Sequence, residues 1–163
     1  MQLVTRALTA IAFLLGALPA ASASPAAERE VLRTVQTLVE AWREADVAKG
    51  AAVLHPDFRI TSLQGAENAR HLFLDTRAGL LAAIGMIKPG AWDVHLLHTS
   101  VSIDPNGMAN VWAKYEFYSD GKLNHCGYES YELFRGREGW KIINFSDTDT
   151  AVGGRDRASV CPD

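Results

Sequence analysis

The spacing of apolar positions along the chain changes from helical to alternating near its middle. Val31, Val35, Leu38 and Trp42 recur at helical spacing, Leu32 and Val39 widen the stripe, and Glu28, Arg33, Glu40, Arg43 and Glu44 take the other side. This predicts a long amphipathic helix ending near Ala45, with Ser24 as N-cap and Pro25 at the first helical position. Asp46 caps a short second helix from Val47 to Leu54, and His55-Pro56 stops it because a residue before proline avoids the helical region. Phe58 to Leu63 alternates as a short strand closed by Gln64-Gly65. Ala66 to Gly85 is predicted as a third helix from Leu72, Phe73, Leu80 and Ile84, with Gly79 and Gly85 weakening it.

Beyond the Lys88-Pro89-Gly90 loop the pattern is one of strands. Val94 to Ile103 leads into Asp104-Pro105-Asn106-Gly107, where proline presets a turn and glycine accepts a positive φ. With Gly107 in a bulge, Ile103 faces Ala109, Val101 faces Val111, Thr99 faces Ala113 and Leu97 faces Tyr115. That register gathers the apolar side chains on one face; a slip of one residue would invert the set. At Ser119-Asp120-Gly121-Lys122 two registers compete. A tight turn puts Glu132 beside Ala109 on the core face. A bulged turn sets Leu133 by Ala109, Tyr131 by Val111, Glu129 by Ala113 and His125 by Phe117. The bulged form is preferred because it spares Glu132 an unpaired burial, although it buries Glu129 instead. Arg135 to Gly139 makes the last turn, Trp140 to Phe145 the last strand, and residues 146–163 a polar tail.

Composition changes this picture at the ends. Arg6, the apolar run Ala7 to Leu18 and the small residues Ala21-Ser22-Ala23 read as a secretory leader, so the expected organisation is a leader at 1–23, one domain at 24–150 and a tail at 151–163. The run is shorter than a membrane span, and no membrane association is expected after its removal. The chain carries a net charge of −3, and losing Arg6 with the leader makes it one unit more negative. That leaves no basic patch for nucleic acid or anionic lipid. Two cysteines, Cys126 and Cys161, in a chain sent to an oxidising compartment are expected to pair; the bulged register turns Cys126 outward, where a tail could reach it.

The Leu54-His55-Pro56-Asp57-Phe58 segment followed by Gly65, the Ala109-x-Val111-x-Ala113-x-Tyr115 strand, and Leu133 through Gly139-Trp140-Lys141-Ile142 resemble the nuclear transport factor 2-like superfamily, over roughly residues 28–147. That superfamily includes ketosteroid isomerase, scytalone dehydratase and SnoaL-like polyketide cyclases. The resemblance implies an α+β fold, a cone-shaped curved antiparallel sheet wrapped on about three N-terminal helices, with a pocket inside. It implies no single reaction. It also implies a homodimer through the outer sheet face, where Trp112 stands in the bulged register.

Glu129 is the candidate with the clearest chemistry. It is expected inside the cone opposite the small Ala113, with Tyr115, Tyr131 and Thr99 on the same face. A carboxyl in an apolar cone has its pKa raised and can act as acid or base near neutrality, or it can be a structural glutamate bonded to a tyrosine. Asp57 stands near the position where the resemblance puts a catalytic acid or base, and reads otherwise as a turn-forming aspartate. Tyr115 or Tyr131 would then hydrogen-bond a developing enolate. Leu97, Thr99, Tyr115, Tyr131 and Glu129 are expected to line the pocket, with His125 at its mouth. His71 and Asp75, four apart, would share a face of the third helix, and Asp147 and Asp149 read as solvated turn residues. The histidines lack HxH or HExxH spacing, and neither a Gly-x-Ser-x-Gly elbow nor a phosphate-binding glycine loop occurs, so no metal and no cofactor is expected. The readings left open are a binder of a small, largely apolar ligand or an interaction module, an enzyme using a pocket carboxylate as general base, and a subunit with a filled interior whose sheet serves dimerisation.

Overall fold

A computed structural model describes residues 24–65, 68–153, 157 and 161. The expected leader at 1–23 lies outside them.

Helix α1, Pro25–Glu44, begins where Ser24 accepts a hydrogen bond from the Ala27 amide at 3.2 Å and ends at Ala45, whose left-handed backbone (φ 55) directs its N–H to the Ala41 and Trp42 carbonyls. Its buried stripe is the predicted one, Val31, Val35, Leu38 and Trp42, with Ala41. Helix α2, Val47–Val53, is capped by Asp46, which accepts from the Lys49 amide at 2.9 Å. Strand β1, Leu54–Gln64, follows at once and is longer than the alternation implied, because His55-Pro56-Asp57 continues as extended chain.

The predicted third helix is a strand followed by a helix. β2, His71–Thr76, pairs antiparallel with β1, and α3, Arg77–Met86, starts only after Thr76, whose hydroxyl accepts from the Gly79 amide at 3.3 Å. Leu72, Phe73 and Leu74 are exposed on this edge strand and do not face the core. His71 and Asp75 therefore pair with β1 residues and share no helical face.

Strands β3 (Trp92–Ile103), β4 (Met108–Ser119), β5 (Lys122–Gly136) and β6 (Gly139–Ala151) complete a six-stranded sheet ordered β2-β1-β6-β5-β4-β3. All neighbours are antiparallel except β1 and β6, which run parallel and make the sheet mixed. The sheet is curved and unclosed, with α1 lying against its concave side along β3 and β6 and α3 against β1. Among the described residues no helix is long and apolar enough to cross a membrane.

The bulged register at Gly121 is present throughout: Leu133 faces Ala109, Tyr131 faces Val111, Glu129 faces Ala113 and His125 faces Phe117. The register of β3 holds only for its second half. Ile103 faces Ala109 and Val101 faces Val111, but a bulge at His98-Thr99, with His98 at φ 49, shifts the rest by one residue. Leu96, not Leu97, thereby faces Tyr115, and Leu97 stands opposite Lys114.

Strand β6 also runs six residues past Phe145 into the expected tail. A bulge between Ile142 and Asn144 resets its alternation, so that Phe145 faces Tyr131 and Asp147 faces Glu129. Cys126 and Cys161 form a disulfide on the outer side of the sheet, where they and Val152 make a small second core against Leu123.

Candidate functional site

The concave face has two halves. Toward the Gly107 turn, Val111, Leu133 and Ile142 pack solidly on Val31, Val35 and Leu38 of α1. Toward the Gly121 turn, sheet and helices part around a cavity of about 310 Å³. Three of its walls are rings from different elements: Trp42 of α1, Trp92 of β3 and Phe145 of β6. Ile60, Leu80 and Val94 fill the intervals. The rings brace one another, with Trp42 edge-on to Phe145 (5.9 Å between centroids), Trp92 edge-on to Phe117 (5.8 Å) and His125 stacked on Phe117 (4.6 Å).

The remaining wall is polar and comes from three adjacent strands. Glu129 of β5 is 2% exposed, and its Oε2 accepts a 2.6 Å hydrogen bond from the Tyr131 hydroxyl. Burial pushes its carboxyl up to about 8; the Tyr131 hydrogen bond opposes this and the charge of Asp147 adds to it. Asp147 faces Glu129 from β6. Burial raises its pKa as well, while Ser62 and Tyr115 draw it down and Asp149 pushes it up. The Tyr115 hydroxyl lies 3.1 Å from Asp147 Oδ2 and 3.1 Å from the Thr148 carbonyl, and donates to either. Burial and then the charges of Asp147, Glu129 and Asp149 raise the pKa of Tyr115, so it stays a neutral donor.

Tyr115 reaches Thr148 because its partner on β5 is Gly127: a Cβ there would lie 1.9 Å from the Thr148 carbonyl oxygen. The close approach of β5 and β6 at this point depends on that glycine. His125 lies at the rim, its Nδ1 2.9 Å from Asn124 Oδ1 and 3.9 Å from Asp149 Oδ2. Burial lowers its pKa more than Asp149 raises it, which keeps the ring neutral. Three buried polar atoms beside the cavity have no hydrogen-bond partner among the described residues: Trp42 Nε1, Ser62 Oγ and Asp147 Oδ1. Ser62 and Asp147 are paired across β1 and β6, and the Ser62 hydroxyl is the donor that draws the Asp147 pKa down, although the pair falls outside strict hydrogen-bond geometry.

The structure brings Glu129, Tyr115 and His125 to one cavity. Tyr131 is fully buried beneath Glu129 and supports it instead of lining the cavity. Asp57 is not part of the site; its side chain is 84% exposed, with His55 Nδ1 3.7 Å away. Leu97 and Thr99 are also elsewhere, displaced by the β3 bulge: Thr99 borders a separate groove between α1 and β3. Asp147 also lines this cavity, although its place in the sequence is that of a solvated turn residue. The signal available was the alternation Ser146-Asp147-Thr148-Asp149-Thr150, which continues strand spacing beyond Phe145 with β-branched threonines on one side. Among the described residues no three His, Cys, Asp or Glu side chains are arranged to hold a metal ion.

No model of a known protein family matches the sequence, and no curated protein matches it. Solved structures do match in shape. A nuclear transport factor 2-like protein of unknown function from Shewanella baltica superposes with a TM-score of 0.57 at 11% identity, over 78% of this chain and 97% of that one. A protein of unknown function with a cystatin-like fold from Nostoc punctiforme gives 0.62 at 9% identity, over 78% and 94%. A nuclear transport factor 2-like protein from Cytophaga hutchinsonii gives 0.59 at 19% identity, over 75% and 97%. At such identities the likeness is one of fold.

Proposed function

We propose that this chain, which has the nuclear transport factor 2-like fold, binds a small, largely apolar molecule in the open half of its cone. The observation that carries the reading is the cavity of about 310 Å³, walled by aromatic and aliphatic side chains with Glu129 and Asp147 together on one side. Concave apolar sites with a few converging polar groups are where small ligands bind. Native mass spectrometry of the protein purified from its own compartment tests this. A co-purifying small organic mass, lost when Trp42 or Phe145 is replaced by a smaller or polar residue, supports the reading. A bare chain mass that apolar probes cannot shift counts against it.

One observation favours a second reading, acid–base chemistry. With its carboxyl at about 8, Glu129 is poised to give or take a proton near neutrality. Glu129 would shuttle a proton at a carbon next to a carbonyl, and Tyr115 would hydrogen-bond the developing enolate. Exchange of that carbon-bound proton into deuterated water, followed by NMR on small cyclic ketones, checks this; the exchange should disappear in Glu129→Gln.

Two further elements belong to this reading. Residues 1–23 would be removed during export, which the Cys126–Cys161 disulfide supports because such bonds persist in oxidising compartments. A homodimer would form through the outer sheet face around Trp112, which is 48% exposed and stacked on Tyr128 at 5.4 Å. Size-exclusion chromatography with light scattering on the wild type and Trp112→Lys distinguishes dimer from monomer.

A further inference from the structure

We infer that the ligand carries a cationic ammonium group on its apolar body, held among the aromatic rings and the two carboxyl side chains of the cavity. The inference rests on the pocket reading above and names the class of ligand for it.

Three features of the cavity point the same way. The first is the ring set: Trp42, Trp92, Tyr115, Phe117 and Phe145 approach one space from four different elements. Ring faces carry partial negative charge, and several converging on one point form a box for a quaternary or alkylated ammonium. The second is charge. Glu129 and Asp147 stand on the same cavity, and no Lys or Arg is among its lining residues. Asp147 raises the pKa of Glu129 and Asp149 that of Asp147, so each carboxylate works against ionisation of its neighbour. The third is a buried acceptor, Asp147 Oδ1, that no donor among the described residues meets in good hydrogen-bond geometry. Buried polar atoms in folded proteins normally find partners; an ammonium N–H donates to such an oxygen, and a fully methylated ammonium sets its positive charge against it. An anionic ligand would set its charge against the carboxyl groups of this wall. A neutral apolar ligand would leave the carboxyl groups as they are.

Binding such a cation must also move protons. The groups facing Glu129 are Tyr131 on its own strand, Tyr115 on β4, and Asp147 on β6, with Asp149 and His125 further toward the rim. A cation among them favours the ionised carboxyl, so its arrival at pH 7 releases a proton from Glu129, which is otherwise protonated there. Affinity for the cation therefore rises as pH increases toward 8 and levels off above it.

The test uses benzyltrimethylammonium and its neutral carbon analogue neopentylbenzene, titrated into the full-length protein and followed by the fluorescence of Trp42 and Trp92. The ammonium should bind about tenfold tighter than its neutral analogue. Calorimetry at pH 7 in two buffers of different ionisation enthalpy should show proton release. In Glu129→Gln/Asp147→Asn the margin between the two probes should vanish while neopentylbenzene still binds, which reports that the cavity has kept its shape. If neopentylbenzene binds the wild type as tightly as the ammonium or tighter, the ammonium inference is overturned and the pocket reading stands. If neither probe perturbs the tryptophans, both fall.

Discussion

Two glutamates on opposite faces of the same sheet have nearly the same local wiring and opposite ionisation. Glu129 on the concave face and Glu116 on the convex face are both buried, at 2% and 7% exposure. Each accepts a hydrogen bond from a tyrosine two residues further along its own strand: Tyr131 at 2.6 Å for Glu129, Tyr118 at 2.8 Å for Glu116. Yet burial pushes Glu129 up to about 8, whereas for Glu116 the raising effect of burial is outweighed by hydrogen bonds from Arg157 and Tyr118. The difference is chiefly the Arg157 guanidinium, helped by the charge of His95 and by the shallower setting of Glu116, whose desolvation is the weaker of the two. Arg157 pairs with Glu116 and is held near it by the Cys161 disulfide to Cys126, the residue that faces Glu116 across the β4–β5 ladder. The convex face is thus completed by the chain itself. On the concave face a tyrosine cannot replace a cation, because a neutral donor offsets only part of the desolvation of a buried carboxylate.

The largest effect belongs to the disulfide. Cys161→Ser, or reduction, should destabilise the protein by about 3–4 kcal/mol, read from chemical denaturation, because the bond closes a loop across a separation of 35 residues. It should also release Arg157 and let the Glu116 pKa rise toward that of Glu129. The next largest effect has the opposite sign. The folded-state pKa of Glu129 is raised, so the stability contributed by its protonated form is fully present below about pH 4.5 and is lost as pH rises toward about 8. Glu129→Gln removes this loss. It should raise stability at pH 8 by on the order of 1–3 kcal/mol and change it little at pH 4.5, flattening the pH profile.

Tyr131→Phe should destabilise by about 1 kcal/mol and move the Glu129 pKa further up, since the lost hydrogen bond favours the ionised carboxylate. The smallest effect belongs to Arg157→Met. The arginine side chain is 44% exposed, so solvent screens the pair and the expected loss is at most about 1 kcal/mol, with a rise in the Glu116 pKa visible by NMR titration.

The strands of the concave core were legible because apolar alternation and glycine turns act together. Burying Leu133 in place of Glu132 was enough to choose the register at Gly121, and that register alone carried Glu129 and His125 to the cavity. Where the pattern misled, the physical reason differs in each case. Leu72 and Phe73 fall in phase with Leu80 and Ile84 and so mimic one continuous helix over β2 and α3, although Thr76 is the N-cap that begins the helix. The bulge that moved Leu97 and Thr99 off the site lies at His98, a residue type that does not announce a left-handed backbone as glycine does. The end of β6 was invisible for the most instructive reason. A strand whose inner face lines a polar wall of a cavity has no apolar alternation to show, and Asp147 was hidden for the same reason that it matters.

Glu129 is a buried carboxyl with no cation beside it among the described residues, and is therefore protonated near neutrality. Carbon-13 NMR titration of the protein labelled at glutamate side-chain carboxyls, with the Glu129 signal assigned by its disappearance in Glu129→Gln, measures this directly. The expected midpoint is at about 8, well separated from the other glutamates. A midpoint within the ordinary glutamate range, near 4.3, would contradict it.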